Sequence, residues 1–402
     1  MRLDGSFWRF WAAMVLANIG DGIRVAAFPL LAASMSQDPF TVATVGAAAA
    51  LPWLLTGVWA GVLADRHQAR RLLLVTDLMR IGVLAALVVA LLTGHAPIAI
   101  VVAAAFALGV GETVRDTVAQ TVVPKLVPAA LIERANSRMV SGEVVGNEFA
   151  GPLIGGALFG LGAVLPFAFN SGALAIGVLL LMTIPAALLA RPAAAGKPRP
   201  VKASEGLVWL WRHRTLRRIV ATSALVAFAD AAWFATFVLF AGQRLGLGAS
   251  GFGVLLAVGA FGGLAGAWTA DRLVGDGRHV RVLIATAAAI SFTPMLLVAA
   301  PDLWSAVAVI LVTSAAFGVF NVAVTSLRHR LVPSDLLGRT IAAARTAVLG
   351  AEALGALAGG LIATVSGLDA PFLLSAVFGV AGIALWLRRG GPFGKDVLAE
   401  PA

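Results

Sequence analysis

The chain has 402 residues, of which 60% are apolar and only 12% charged, with a mean hydropathy of +0.93. A water-soluble exterior cannot be built from so little charge, so the composition excludes a soluble globular protein and indicates a polytopic membrane protein. The net charge of +10 does not mark a nucleic-acid binder, because the basic residues fall in alternate loops, and the lack of cysteine excludes disulfides and thiolate metal sites.

At about 20 apolar residues per crossing, the hydropathy predicts twelve helical spans: 9–33, 41–63, 72–93, 97–122, 138–161, 165–189, 217–241, 250–270, 281–300, 303–327, 340–364 and 370–388. The ten-residue alternation of a membrane β-barrel is absent, so the expected class is all-α. Connections alternate between bare and basic. One set carries a single Lys or Arg, Arg244; the other holds Arg66, Arg70, Arg71, Lys125, Arg134, Arg272, Arg278, Arg281, Arg328, Arg330 and Arg339. The positive-inside rule then places both termini and every basic loop on the cytoplasmic side of the cell membrane.

The first span carries Gly20-Asp21-Gly22 and Arg24. Between the second and third spans runs Gly61-Val62-Leu63-Ala64-Asp65-Arg66, followed by Arg70 and Arg71. Asp65 ends a span beside basic residues, where a carboxylate can bond helix-end amides or an Arg of the next span. The fourth span holds Glu112, Arg115 and Asp116. The fifth holds Glu148 and then Gly151-Pro152-Leu153-Ile154-Gly155-Gly156. Small residues at that spacing let another helix approach closely, while Pro152 removes a backbone donor.

After the sixth span, Ala193 to Lys202 reads as a flexible linker. Glu205 to Arg218 alternates apolar and basic residues, as in an amphipathic helix lying in the headgroup layer, or simply in a connector feeding the seventh span. The pattern then repeats. Asp230 answers Asp21, Asp271-Arg272 answers Asp65-Arg66, and Glu352, Gly355, Gly359 and Gly360 answer Glu148, Gly151, Gly155 and Gly156. Two similar halves follow: an N-terminal six-helix bundle over 1–190, a linker over 191–216, and a C-terminal bundle with a short tail over 217–402.

These residues carry a resemblance. The chain resembles the major facilitator superfamily, specifically the twelve-span drug:proton antiporter branch with its macrolide, tetracycline-type and siderophore exporters. The loop motif is matched at Gly61, Leu63, Ala64, Asp65, Arg66, Arg70 and Arg71, and the fifth-span motif at Gly151, Pro152, Gly155 and Gly156. The resemblance implies two pseudo-symmetric six-helix bundles working by alternating access. It also implies a loop gate, with a second copy at Asp271 and Arg272, and a hinge at the fifth-span motif. Arg115 resembles in placement the fourth-span arginine of a proton relay.

Charges inside spans are the remaining signal. A charged side chain at the bilayer centre costs about 3 kcal/mol, so Asp21, Glu112, Glu148, Asp230 and Glu352 facing lipid would together cost roughly 15 kcal/mol. They are therefore expected to face one another or a wet cavity. Asp21 with Arg24, and Glu112 with Arg115 and Asp116, share helix faces and read either as working groups or as ion pairs neutralised in place. Asp230, Glu148 and Glu352 have no basic partner in their own helix, which makes them candidates to exchange a proton or to meet a cationic cargo. Asp21 and Asp230 are the favoured central cavity acids, with Glu148 and Glu352 after them; the plain alternative for Glu148 and Glu352 is a hydrogen bond in a helix seam. Trp53, Trp59, Trp233 and Phe234 read as packing or lipid-facing residues rather than an aromatic pocket.

The expected function is export of small amphipathic or cationic drugs or metabolites, with protons as the exchanged ion and no cofactor or metal. The expected protein is a monomer in the lipid bilayer, not an enzyme. Arg24, Arg115 and Arg345 keep open a dedicated exporter of a natural product or siderophore; a lipid flippase is a further alternative, and a non-transporting scaffold the reading farthest from transport.

Overall fold

The computed structural model describes residues 3–189, 209–274, 278–299, 302–332 and 337–387. The predicted linker over Ala193–Lys202, most of the expected amphipathic helix and the tail from Gly390 lie outside the described residues.

The predicted spans are helical, except that the sixth, predicted over 165–189, is α-helical only to Met182 and the ninth is interrupted after Phe292; no strand occurs among the described residues. The first four are α1 (Gly5–Met35), α2 (Pro39–Arg66), α3 (Ala69–Leu92) and α4 (Ile98–Leu126). The fifth is compound: α5 (Ile132–Glu143), a π-helical stretch Val144–Ala150, and α6 (Gly151–Leu161). Then come α7 (Leu165–Met182), α8 (Arg214–Gln243), α9 (Ala249–Leu273), α10 (His279–Phe292) with the short α11 (Met295–Ala299), α12 (Leu303–Leu331), α13 (Leu337–Ser366) and α14 (Ala370–Leu387). Among the described residues, eleven helical runs are long and apolar enough to cross a membrane, and Ala370–Trp386 is a shorter apolar helix.

The ends of these helices follow from local chemistry. Asp302 starts α12 as a capping box, accepting from the Trp304 and Ser305 N–H groups at 2.9 and 3.0 Å. Asp38 starts α2: its carboxylate accepts from the Thr41 N–H at 2.9 Å and the Thr41 hydroxyl at 2.6 Å, and from the Thr364 hydroxyl at 2.7 Å. Those hydroxyl donors, Thr41 first, hold the Asp38 carboxyl down at about 2. Pro152, lacking an N–H, follows the π-helical stretch, where the Gly151 N–H reaches back to the Gly146 carbonyl.

Packing divides the chain into two compact units. The first comprises Met1–Gln37, Ala48–Lys197 and Leu247–Ala257; the second comprises Asp38–Ala47, Pro198–Gly246 and Val258–Ala402. The starts of α2 and α9 are thus exchanged between the units relative to a simple split in sequence.

Glycines set the close crossings inside each unit, and their pattern repeats. In the first unit a Cβ at Gly151 would lie 2.5 Å from Gly22 Cα, and one at Gly155 would lie 2.6 Å from the Ile23 carbonyl oxygen. In the second, Cβ atoms at Gly355 and Gly359 would lie 2.3 and 1.9 Å from the carbonyl oxygens of Phe228 and Ala232. The third glycine of each set meets an exchanged segment: Gly156 abuts Ala249 and Gly253 of α9, and Gly360 abuts Pro39, Phe40 and Ala43 of α2.

Candidate functional site

In the first unit, three helices bring charged residues together. Asp21 and Arg24 lie on one face of α1, Asp77 and Arg80 on one face of α3, and Glu112, Arg115 and Asp116 on one side of α4. The Asp21 carboxylate accepts from both Arg24 and Arg80. Arg24 also donates to Glu112 at 2.8 Å, and Arg115 Nε donates to Asp77 Oδ1 at 2.8 Å. A further bond from Arg115, 3.0 Å to the Ala13 carbonyl, ties α4 to α1. Asp77 and Arg80 are wholly buried, whereas Glu112 is 22% exposed.

Small residues make room for this network. A Cβ at Gly111 would lie 2.6 Å from Arg80 Cγ, so the arginine stem passes α4 only because position 111 has no side chain. Gly20 and Gly22 serve the other faces of α1: Asn170 of α7 donates to the Gly20 carbonyl at 2.9 Å, and the Asn147 carbonyl presses on Gly22. With neighbours packed against both flanking glycines, Asp21 is held on the side of α1 where the arginines meet it.

Of the two readings the sequence left open for Glu112 and Arg115, neutralisation within their own helix does not form; each pairs with a different neighbouring helix. The pairing of Asp21 with Arg24 does form, and Arg80 joins it.

Asp21, Asp77 and Glu112 balance Arg24, Arg80 and Arg115, leaving Asp116 as an additional carboxylate with no ion pair among the described residues. Asp77 Oδ2, Arg80 Nε and Nη1, and Arg24 Nε are buried and make no hydrogen bond among the described residues. Asp77 and Arg80 were not among the residues expected to matter. They carry the same signal as the others, charge inside a span, but lie just beyond Arg70 and Arg71, where the sequence reads as the edge of a basic loop.

In the second unit, Asp230 on α8 and Glu352 on α13 are half-buried and close enough to interact electrostatically. Neither has an ion pair among the described residues. Glu148 is exposed from its unit and makes no seam hydrogen bond among the described residues. Trp233 is buried against Phe234, Phe237 and Phe372, while Trp59 is 69% exposed.

The loop motif is placed as follows. Asp65 and Arg66 are exposed at the end of α2, with no ion pair among the described residues. Arg70 instead donates to the Met182 carbonyl at 2.9 Å, and Arg9 donates to the Thr183 carbonyl at 2.9 Å, so two guanidiniums cap the C-terminus of α7. Arg71 is exposed. Gly61 has open space around its Cα, whereas Gly266 in the second copy is pressed against Ala315. Asp271 is exposed, and Arg272 stacks over Trp268 at 5.7 Å. Arg244, the exception among the bare connections, pairs with Asp369 at 2.9 Å.

Comparison with known proteins adds to this geometry. Residues 3–396 match the family model described as transmembrane secretion effector. An uncharacterized MFS-type transporter, Rv0037c of Mycobacterium tuberculosis, is 28% identical over 142 residues; the match covers 35% of this chain and 32% of that relative's length. The multidrug efflux pump Tap of Mycobacterium tuberculosis is 24% identical over 384 residues, covering 91% of this chain and 88% of Tap. Among solved structures, a bacterial homolog of the human lysosomal transporter Spinster superposes with a TM-score of 0.70 at 16% identity, covering 95% of each chain, which speaks to the fold alone.

Proposed function

The chain belongs to the transmembrane secretion effector family of the major facilitator superfamily, a multi-pass membrane transporter, and from that premise we propose that it exports small amphipathic molecules in exchange for protons. The similarity to a multidrug efflux pump supports the direction. In this reading two six-span bundles alternate access, with the basic loops on the cytoplasmic side.

The single observation that carries the coupling is the surplus carboxylate in the first unit. Three guanidiniums neutralise three acids, and Asp116 is left beside them. An acid added to a balanced, largely buried network has no counter-charge, and a proton is the smallest species that supplies one. Glu112, bonded through one side and partly exposed, connects this surplus to the surface of the unit. Asp21, gripped by two arginines, is the anchor of the network in this reading. Asp230 and Glu352 form the corresponding acidic pair of the second unit, Glu148 is a peripheral acid, and Arg115 positions Asp77. In the same reading the loop motif acts as the gate, and the fifth-span glycines act as the hinge.

Proteoliposomes test the proposal. A pH gradient, acidic on the side opposite the basic loops, should drive cargo toward the acidic side, and a protonophore should stop it. Asp116→Asn and Glu112→Gln should lose gradient-driven transport by at least about tenfold while keeping cargo-for-cargo exchange. Full gradient-driven transport in both variants would refute the coupling.

A further inference from the structure

We propose that the second unit contains a binding cavity for the acid group of a diffusible, apolar solute, so that the cargo includes oxyanions carried on apolar bodies. This rests on the transport reading above and narrows its substrate class.

The cavity has a volume of about 260 Å³, is lined by α8, α12 and α13, and is open on one side. Its walls are largely apolar, with Phe317 and Phe320 on α12 and Ile341 on α13. The polar residues of the lining are Ser223, Asn321, Arg328 and Arg345; no Asp or Glu is among them. Arg328 lies one turn from the end of α12 and is partly exposed, and Arg345 is exposed, so the cavity opens to the surface of the unit. A guanidinium edge buried against apolar walls without a partner favours an anion that can meet it.

Arg328 shows the imbalance most clearly. Its Nε is buried without a hydrogen-bond partner, its Nη2 reaches only Thr325 Oγ1 at 3.5 Å, and no carboxylate lies within ion-pair distance among the described residues. The Ser223 hydroxyl, across the cavity on α8, is likewise buried without a partner. A fixed planar guanidinium with a free Nε edge suits a carboxylate, sulfonate or phosphate oxygen. Among the described residues, the acids of α8 and α13 do not line it: the lining stops at Ala227 and Leu349, three residues short of Asp230 and Glu352 along the same helices. That is about one helical turn, roughly 5 Å. A cation entering the cavity would meet the Arg328 guanidinium and no acid in the lining, whereas an apolar acid satisfies both the walls and Arg328.

Three probes with one body and different heads decide the matter: 2-naphthoate, 2-naphthylmethylammonium and 2-naphthalenemethanol. Binding is measured by equilibrium dialysis to the full chain in phosphatidylcholine nanodiscs, with empty discs subtracted. The naphthoate should bind at least about tenfold tighter than either other probe. Arg328→Gln should remove that preference and leave the alcohol unchanged, and Arg328→Lys should restore part of it. Val348→Phe, which fills the cavity and leaves the charges in place, should weaken naphthoate binding if Arg328→Gln fails to fold. Equal or tighter binding of the ammonium overturns the proposal, as does unchanged naphthoate binding in Arg328→Gln or in Val348→Phe. So does loss of naphthoate binding when a third of the lipid is phosphatidylglycerol, since the occupant is then a lipid headgroup. No proton gradient enters the measurement, so failure here and failure of proton coupling are read separately.

Discussion

Asp21 and Asp116 lie in the same charged neighbourhood but should respond to mutation in opposite ways. Removing the charge of Asp21 leaves two buried guanidiniums without their shared acceptor, and breaking a buried pair of this kind costs about 3–5 kcal/mol. Asp21→Asn should therefore lower the thermal midpoint in detergent markedly, with activity lost through folding. Asp116→Asn leaves the four ion pairs intact and should unfold within a few degrees of wild type; an equal loss in both variants would contradict the charge count.

Asp38 offers a second test at this scale, with a defined pH window. Its folded-state value of about 2 lies below the ordinary aspartate value near 4. The ionised form is thus favoured by folding. Its contribution is fully present above about pH 4 and is lost as pH falls toward 2. The difference in thermal midpoint between wild type and Asp38→Asn should stay constant from pH 8 to pH 5 and shrink only below about pH 4. A difference that closes between pH 7 and pH 5 would mean that Asp38 is not held by the Thr41 and Thr364 hydroxyls.

Among the elements, the glycine crossings separate packing from motif. A Cβ at Gly359 would sit 1.9 Å from the Ala232 carbonyl oxygen, so α8 and α13 must part to admit it. Gly359→Ala should cost about 1–3 kcal/mol, the usual penalty of overpacking. Gly61→Ala meets nothing within 4 Å and should not lower the thermal midpoint, although Gly61 opens the loop motif. The sequence marked Gly359 by its spacing and Gly61 by the loop motif, and spacing reports only that a close approach is possible. Which partner arrives depends on how the helices cross. The loop arginines show the same limit. Arg70 was legible as a charge beside Asp65, yet it caps α7, more than a hundred residues away in sequence.

Across the whole molecule, the orientation rests on the distribution of Lys and Arg among loops. The chain has no native cysteine, so single introduced thiols report topology without background. His95→Cys should react with an impermeant maleimide added outside intact cells, and His67→Cys only after the membrane is opened. The reverse pattern would invert the topology. The pair Arg244–Asp369 is exposed, at 50% and 38%, so Arg244→Ala should change stability by less than about 1 kcal/mol.

Apolar run length, basic-loop alternation and the repeated Asp and Gly positions determined by themselves a many-span helical membrane chain with internal repetition. These are properties of segments, and a bilayer acts on segments one at a time. Only the tertiary structure decided that Asp77 and Arg80 complete the charged network, that Glu112 and Arg115 pair with α1 and α3, and that Arg328 faces an apolar cavity. Those contacts join residues 38 to 88 positions apart, or gather three helices around one space. Ionic partners are chosen by the rotation and crossing of whole helices, and a period of 3.6 residues records the face of each helix but not the face it meets.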